Sequence, residues 1–178
     1  MIYCALLRGI NVGGKAIIRM AELKVCFEKL GYSEVKTYIN SGNVIFSAPQ
    51  TKTEALAAEL ETAIESTFSL AVRVLVKTTE QLQAIEAAVP KAWDDPAIRC
   101  YILFLWPSID AESTLENIPL NSAVETAKYV PGAVIHQYDK KNATKSRLNR
   151  LNGTPLYQDI TIRNLNTVHK LISLSEQQ

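Results

Sequence analysis

Apolar residues first gather in a short run, Ile2 to Arg8, which predicts a strand, and the Gly-rich stretch Gly9-Ile10-Asn11-Val12-Gly13-Gly14-Lys15 follows it. Met20, Leu23, Phe27 and Leu30 then recur at helical spacing, with Gly31 as the stop. Val35 to Ile39 and Asn43 to Ser47 read as two strands joined through Asn40-Ser41-Gly42. In the next segment Leu56, Leu60, Ile64 and Phe68 repeat every four residues, and Thr51 and Glu54 are spaced as a capping box. Val72 to Val76 closes the segment as a strand. This βαββαβ order predicts a ferredoxin-like lobe, in which helices cover one face of an antiparallel sheet and leave the other face available.

Thr78-Thr79-Glu80-Gln81 predicts the cap of a connecting helix with Leu82, Ile85 and Val89 inward, and 90–96 is the boundary. The pattern then restarts with a strand from Cys100 to Trp106 and a short helix from Ser108 to Ile118. Tyr129-Val130-Pro131-Gly132-Ala133-Val134-Ile135 echoes the strand, glycine turn and strand of residues 38–45. Thr144 is the expected cap of a helix carrying Leu148 and Leu151 and ending at Asn152-Gly153. A last helix from Asn164 to Leu174 aligns Leu165, Val168 and Ile172. The expected fold is α+β, with two ferredoxin-like βαββα subdomains from an internal duplication. They occupy 1–78 and 98–178, joined by a helix and linker at 79–97.

The 178 residues suffice for two such lobes, and with 47% hydrophobic and 21% charged residues the chain is globular in character. A net charge of +1 gives no global field for nucleic acid or a membrane surface. A five-cation, acid-free stretch, Lys140, Lys141, Lys145, Arg147 and Arg150, is the local exception. Cys4, Cys26 and Cys100 are too few and too scattered for a disulfide framework or a zinc site, and read as buried thiols. The N-terminal segment lacks the basic lead and cleavage site of a signal peptide, and no apolar run is long enough to span a bilayer, so the expected location is the cytoplasm. His136 and His169, the only histidines, form no metal-ligand motif; there is no Gly-x-Ser-x-Gly elbow, and no cofactor is indicated.

Three polar clusters carry the candidate chemistry. Gly9-x-x-x-x-Gly14-Lys15 matches the opening of a phosphate-binding loop, yet Ala16 stands where the magnesium-binding hydroxyl belongs. The glycines are explained either as turn formers or as an anion nest with Arg8, Asn11 and Lys15 as donors beside Gly13 and Gly14. Asn40, Ser41 and Asn43 form a second polar turn, expected at the opposite end of the strands from the first loop. Arg163, Asn164 and Asn166 open the last helix, where a cation opposes the helix dipole and calls for a carboxylate or a bound anion.

The stretch from Ala5 to Lys15 followed by Met20-Ala21-Glu22-Leu23, the block from Thr37 to Phe46 and the block from Thr161 to Val168 resemble the bacterial family catalogued as domain of unknown function 1697. The resemblance implies two ferredoxin-like subdomains and no known reaction. The chain departs from the family's pattern at Leu165, where a Trp is expected between the two asparagines. Three readings stay open: binding of a small anionic or phosphorylated ligand at the first loop, helped by Arg163; nucleic-acid binding on an open sheet face presenting Tyr3 and Phe46; and a protein-interaction domain. Oligomeric state is not legible.

Overall fold

The first apolar run forms strand β1 (Ile2–Leu7), buried from Tyr3 onward, as a continuous apolar strand must be when both its faces are covered. The computed structural model describes residues 1–177. The chain makes two compact units, Met1–Leu82 together with the stretch from Lys170 onward, and Gln83–His169.

In the first unit β1 is followed by α1 (Met20–Lys29), β2 (Ser33–Tyr38), β3 (Asn43–Ser47), α2 (Thr53–Phe68) and β4 (Val74–Thr78). The sheet order is β2-β3-β1-β4 with every pair antiparallel. Tyr3, Ala5, Leu7, Val44 and Phe46 pack against Leu23 and Phe27 of α1 and Leu56, Leu60 and Ile64 of α2. Four rings, Tyr3, Phe27, Tyr32 and Phe46, interlock within this core. The Thr51–Glu54 capping box does not form. Lys52 occupies the N-cap without a side-chain bond, because the Tyr3 hydroxyl both donates to the Thr51 carbonyl and accepts its N–H, 3.0 Å each, which removes Thr51 from the helix.

The helix α3 (Thr79–Ala87) follows β4, and here the box is made: Gln81 N–H donates to Thr78 Oγ1 at 3.2 Å and Thr78 N–H to Gln81 Oε1 at 3.0 Å. The second unit contains β5 (Ile98–Leu105), β6 (Glu125–Val130), β7 (Ala133–Asp139) and β8 (Ile160–Asn164), ordered β6-β7-β5-β8, and α4 (Leu165–Ser175) follows. This repeats the first sheet's topology, and the repeat extends to single bonds. Leu7 N–H donates to Gly42 O and Arg8 N–H to Arg73 O, just as Leu105 N–H donates to Gly132 O and Trp106 N–H to Asp159 O. The chain is therefore an α+β protein of two similar subdomains.

The expected helices at 108–118 and after Thr144 are absent. Short 3-10 segments, Pro107–Ile109, Glu112–Asn117, Lys140–Lys145, Leu148–Gly153 and Pro155–Asp159, cover that face of the second sheet instead. Pro107, Pro119, Gly153 and Pro155 interrupt any sustained helical turn, and the apolar residues come in pairs, Leu115 with Ile118 and Leu148 with Leu151, too few for a long stripe. Among the described residues no helix is long and apolar enough to cross a membrane.

Candidate functional site

The glycine loop after β1 is a small hairpin and not a phosphate cradle. Val12 and Lys15 face each other as an isolated bridge, Lys15 N–H donates to Val12 O, and Asn11 N–H donates to Ala16 O, both at 3.1 Å. Gly13 and Gly14, at φ +59 and +73, supply the two left-handed residues of a two-residue hairpin turn. Helix α1 begins only at Met20, so the Lys15–Ala16 step leads into no helix N-terminus that could hold a phosphate. The buried side chains of Ile10 and Ile18 root the loop in the core while Val12 and Ile17 stand 65% and 69% exposed.

The loop and the turn at Asn40-Ser41-Gly42 lie at the same end of the sheet, which corrects the sequence-based expectation. β1 and β2 are both antiparallel to β3 and therefore run in the same direction, so their C-terminal ends share one edge. Asn11 joins the two segments. Its Nδ2 donates to Ile18 O at 2.9 Å and to Asn40 O at 2.8 Å, and its Oδ1 accepts Ile18 N–H at 2.9 Å. Asn43, fully buried, likewise turns its amide inward, donating to Tyr38 O and Ser41 Oγ. Both amides are thus committed to holding the backbone, as is usual for Asn at turns. Asn11→Ala is expected to cost about 2–3 kcal/mol, since three bonds are lost at a position with positive φ. Urea unfolding should register the loss, and hydrogen exchange should show the Ile18 amide opening in the variant; an unchanged Ile18 protection would mean the clamp is not what orders the loop.

Beside this clamp lies a cleft of about 580 Å3 whose walls include Gly14, Ile17, Arg19, Met20 and Asn40. Arg19 is exposed, with a 3.6 Å pairing to Glu22. Arg73, not apparent as a site residue from sequence, joins this end because its carbonyl pairs with the Arg8 N–H across the β1–β4 edge. Its signal is only that it opens the strand that pairs with the end of β1.

The third cluster belongs to the second unit and is not a helix start. Arg163 lies in β8, 7% exposed, and its guanidinium donates to Thr161 Oγ1 and to Ile162 O, both at 2.9 Å. Strand geometry removes the conflict with the helix dipole. Asn164 caps α4, its Oδ1 accepting Asn166 N–H at 2.9 Å. Asn164 and Asn166 line a recess of about 210 Å3 with Trp93, Arg99 and Lys140.

Tyr3 and Phe46 do not present an open sheet face. Tyr3 and Phe46, the supposed base-stacking platform, have no exposed surface and pack on each other inside the core. Cys4, Leu6 and Ile45, which point the other way, are equally buried, whereas the edge strand β2 keeps Ser33 and Glu34 exposed. All three cysteines are buried and unpaired with one another, and burial pushes the Cys100 thiol up to about 12, helped by Asp94. Among the described residues no three His, Cys, Asp or Glu side chains group to hold a metal ion.

A polar cluster unforeseen from sequence is buried in the second unit. His136 and Glu125 face each other at 3.2 Å, and the carboxylate also accepts from the Ser146 hydroxyl and from the backbone N–H groups of Asn121 and Arg147. Burial works to raise the Glu125 pKa, but these donors and His136 outweigh it and hold the carboxyl below its usual value. Burial lowers the His136 pKa despite the carboxylate's opposing pull. Ser146 bonds the carboxylate and not the imidazole, so the trio has the wrong order for an activated nucleophile. Its role is to fasten the 3-10 covering to the sheet. The only sequence signal is one histidine ending the apolar run Ala133-Val134-Ile135.

No curated protein matches the chain. A solved structure, that of a conserved bacterial protein from Streptococcus pneumoniae, is similar with a TM-score of 0.83 and 29% sequence identity, over 97% of each chain. A family model described as Protein of unknown function (DUF1697) matches residues 1–135, which takes in the hairpin loop, the Asn40–Gly42 turn and the first strands of the second unit. That match spans most of the chain, and with the fold described above it places this chain in the DUF1697 family.

Proposed function

We propose that this is a cytoplasmic binding protein whose first unit recognises a small anionic ligand, bearing an apolar portion, at the edge formed by the hairpin loop and the Asn40–Gly42 turn. The carrying observation is the clamp at 2.8 Å from Asn11 Nδ2 to Asn40 O, which joins the two polar segments beside a cleft walled by Ile17, Arg19, Met20 and Asn40. Arg8, Lys15, Arg19 and Arg73 bring four cations to this edge, while Glu22 and Glu61 bring two carboxylates. The local excess is positive although the whole chain is nearly neutral. Ile17 and Met20 supply the apolar contact. Backbone in the left-handed region is concentrated here, at Gly9, Asn11, Gly13, Gly14, Ala16, Ile39 and Gly42, and a β-branched residue such as Ile39 takes that conformation only where its surroundings impose it.

The test is a thermal-shift titration of the full chain with inorganic phosphate, sugar phosphates, nucleotides and short single-stranded RNA. A saturable rise for one small anion is expected, reduced on the order of tenfold in affinity in the Lys15→Ala, Arg19→Ala double variant. No rise with any probe, or a rise indifferent to the double variant, would end this reading. The exposure of Val12 and Ile17, at 65% and 69%, favours a protein partner as the second reading. It predicts that Val12→Asp abolishes co-purification of a partner without altering the response to any small anion.

A further inference from the structure

The second unit holds a recess at the edge where β5 begins and β8 ends, about 210 Å3 in volume. This is smaller than the roughly 300 Å3 at which pockets begin to take drug-sized molecules, so its ligand has only a handful of heavy atoms. Trp93 and Asp94 line it from the turn before β5, Arg99 from β5 itself and Lys140 from the step after β7, while Asn164 and Asn166 bracket the start of α4. The buried Cys100 and Leu165 also line it, so part of its wall is dry.

Its charges decide the ligand class. Asp94 and Asp95 contribute two carboxylates, and Arg99 and Lys140 two cations, all on one small recess. Among the described residues none of these four forms an ion pair, although each has opposite charges around the same space. Asp95 is engaged by the Ala97 N–H at 2.7 Å, which leaves Asp94 as the more available acid. A phosphate would meet as much repulsion as attraction here, and so would a simple amine. A molecule with one charge of each sign meets favourable partners for both. The half-buried indole of Trp93 adds an aromatic face of the kind that favours an ammonium group. The Asn164 carbonyl is occupied by Asn166 N–H, so its NH2 is the part able to donate to a carboxylate.

We propose that this recess binds a free amino acid, with its ammonium group held by Asp94 beside Trp93 and its carboxylate by Arg99 and Lys140 with the Asn164 amide.

The experiment is calorimetric and tryptophan-fluorescence titration of the full chain with each of the twenty free amino acids, inorganic phosphate and, for any amino acid that binds, its carboxamide and N-acetyl derivatives. At least one amino acid should bind saturably, and blocking either of its charges should weaken binding on the order of tenfold or more. Asp94→Asn and Lys140→Ala, both on exposed residues and checked for native circular dichroism, should each weaken it by a similar factor. Trp93→Phe should remove the fluorescence response, since the other of the two tryptophans, Trp106, is buried and does not line the recess. The proposal is overturned if no amino acid binds at millimolar concentration, if the blocked derivatives bind as well as the parent, if phosphate binds in preference, or if both charge variants bind as the unaltered chain does.

Discussion

Glu125→Ala should be among the most destabilising single substitutions in this protein, with an expected loss of about 3–5 kcal/mol, a large part of the roughly 5–15 kcal/mol that holds an ordinary domain folded. The carboxylate is buried and gathers the Ser146 hydroxyl, the N–H groups of Asn121 and Arg147 and the His136 ring. Removing it leaves those donors inside the protein without an acceptor, which costs more than the bonds contributed. It also releases the 3-10 segments on either side of Ser146, which have no long helix to keep them on the sheet. Glu125→Gln should lose less, because one acceptor oxygen remains, although its NH2 now faces other donors. Urea unfolding of the three proteins ranks them; equal stability of Glu125→Ala and the unaltered chain would show that the covering is held by its apolar contacts alone.

The same cluster sets a pH dependence. His136 has its pKa lowered in the folded state, so the unfolded chain binds the proton more readily, and its contribution to stability is complete above the ordinary value of 6.5 and declines below it. Glu125 is also lowered, from 4.5, so its contribution is present above that value and is lost as pH falls through the depressed folded value. Stability should therefore fall in two stages on acidification, the first beginning near the histidine's ordinary value of 6.5. His136→Gln should remove the first stage and keep the second. A first stage that survives in the variant would assign it to another group.

Gly42→Ala should cost about 2–4 kcal/mol, from two causes that add. A Cβ at Gly42 would lie 2.7 Å from Leu7 Cβ and 2.9 Å from Ile10 Cδ1, and the residue sits at φ +75. Leu7 Cβ is fixed to a central strand and cannot swing aside, so the turn must lift and lengthen the bond from Leu7 N–H to Gly42 O, now 2.8 Å. Gly13→Ala is the matched control, at φ +59 with nothing within 4 Å, and should cost only about 1 kcal/mol through backbone conformation. Thermal unfolding separates the two, and amide exchange at Leu7 should quicken only in Gly42→Ala. Equal losses in both variants would show that close packing at the turn contributes nothing.

The first unit was legible almost element by element because its signals are local and strong: an apolar run at 2–7, four-residue spacing from Leu56 to Ile64, and a glycine turn between two short strands. Three of the second unit's strands, β5, β6 and β7, were legible for the same reason, but β8 was missed and the 3-10 coverings were mistaken for helices, since a pair of leucines three apart, as at Leu148 and Leu151, fits either. Arg163 was placed on a helix because the strand before it, Ile160–Asn164, is only five residues long and runs straight into α4.

What the sequence by itself determined was the order of elements in the first unit, the repeated strand, glycine turn and strand in the second, and the identity of the polar segments, because periodicity and turn chemistry are written in neighbouring residues. The tertiary structure alone decided which of those segments meet. It brought the hairpin loop to the Asn40 turn because β1 and β2 run in parallel on either side of β3, spent the amides of Asn11 and Asn43 on local bonds, and buried Tyr3 and Phe46 in the core. Glu125 and His136 belong to this second kind of information: eleven residues apart in sequence, they become partners only across the β6–β7 ladder, where the loss of water makes a carboxylate and an imidazole depend on each other.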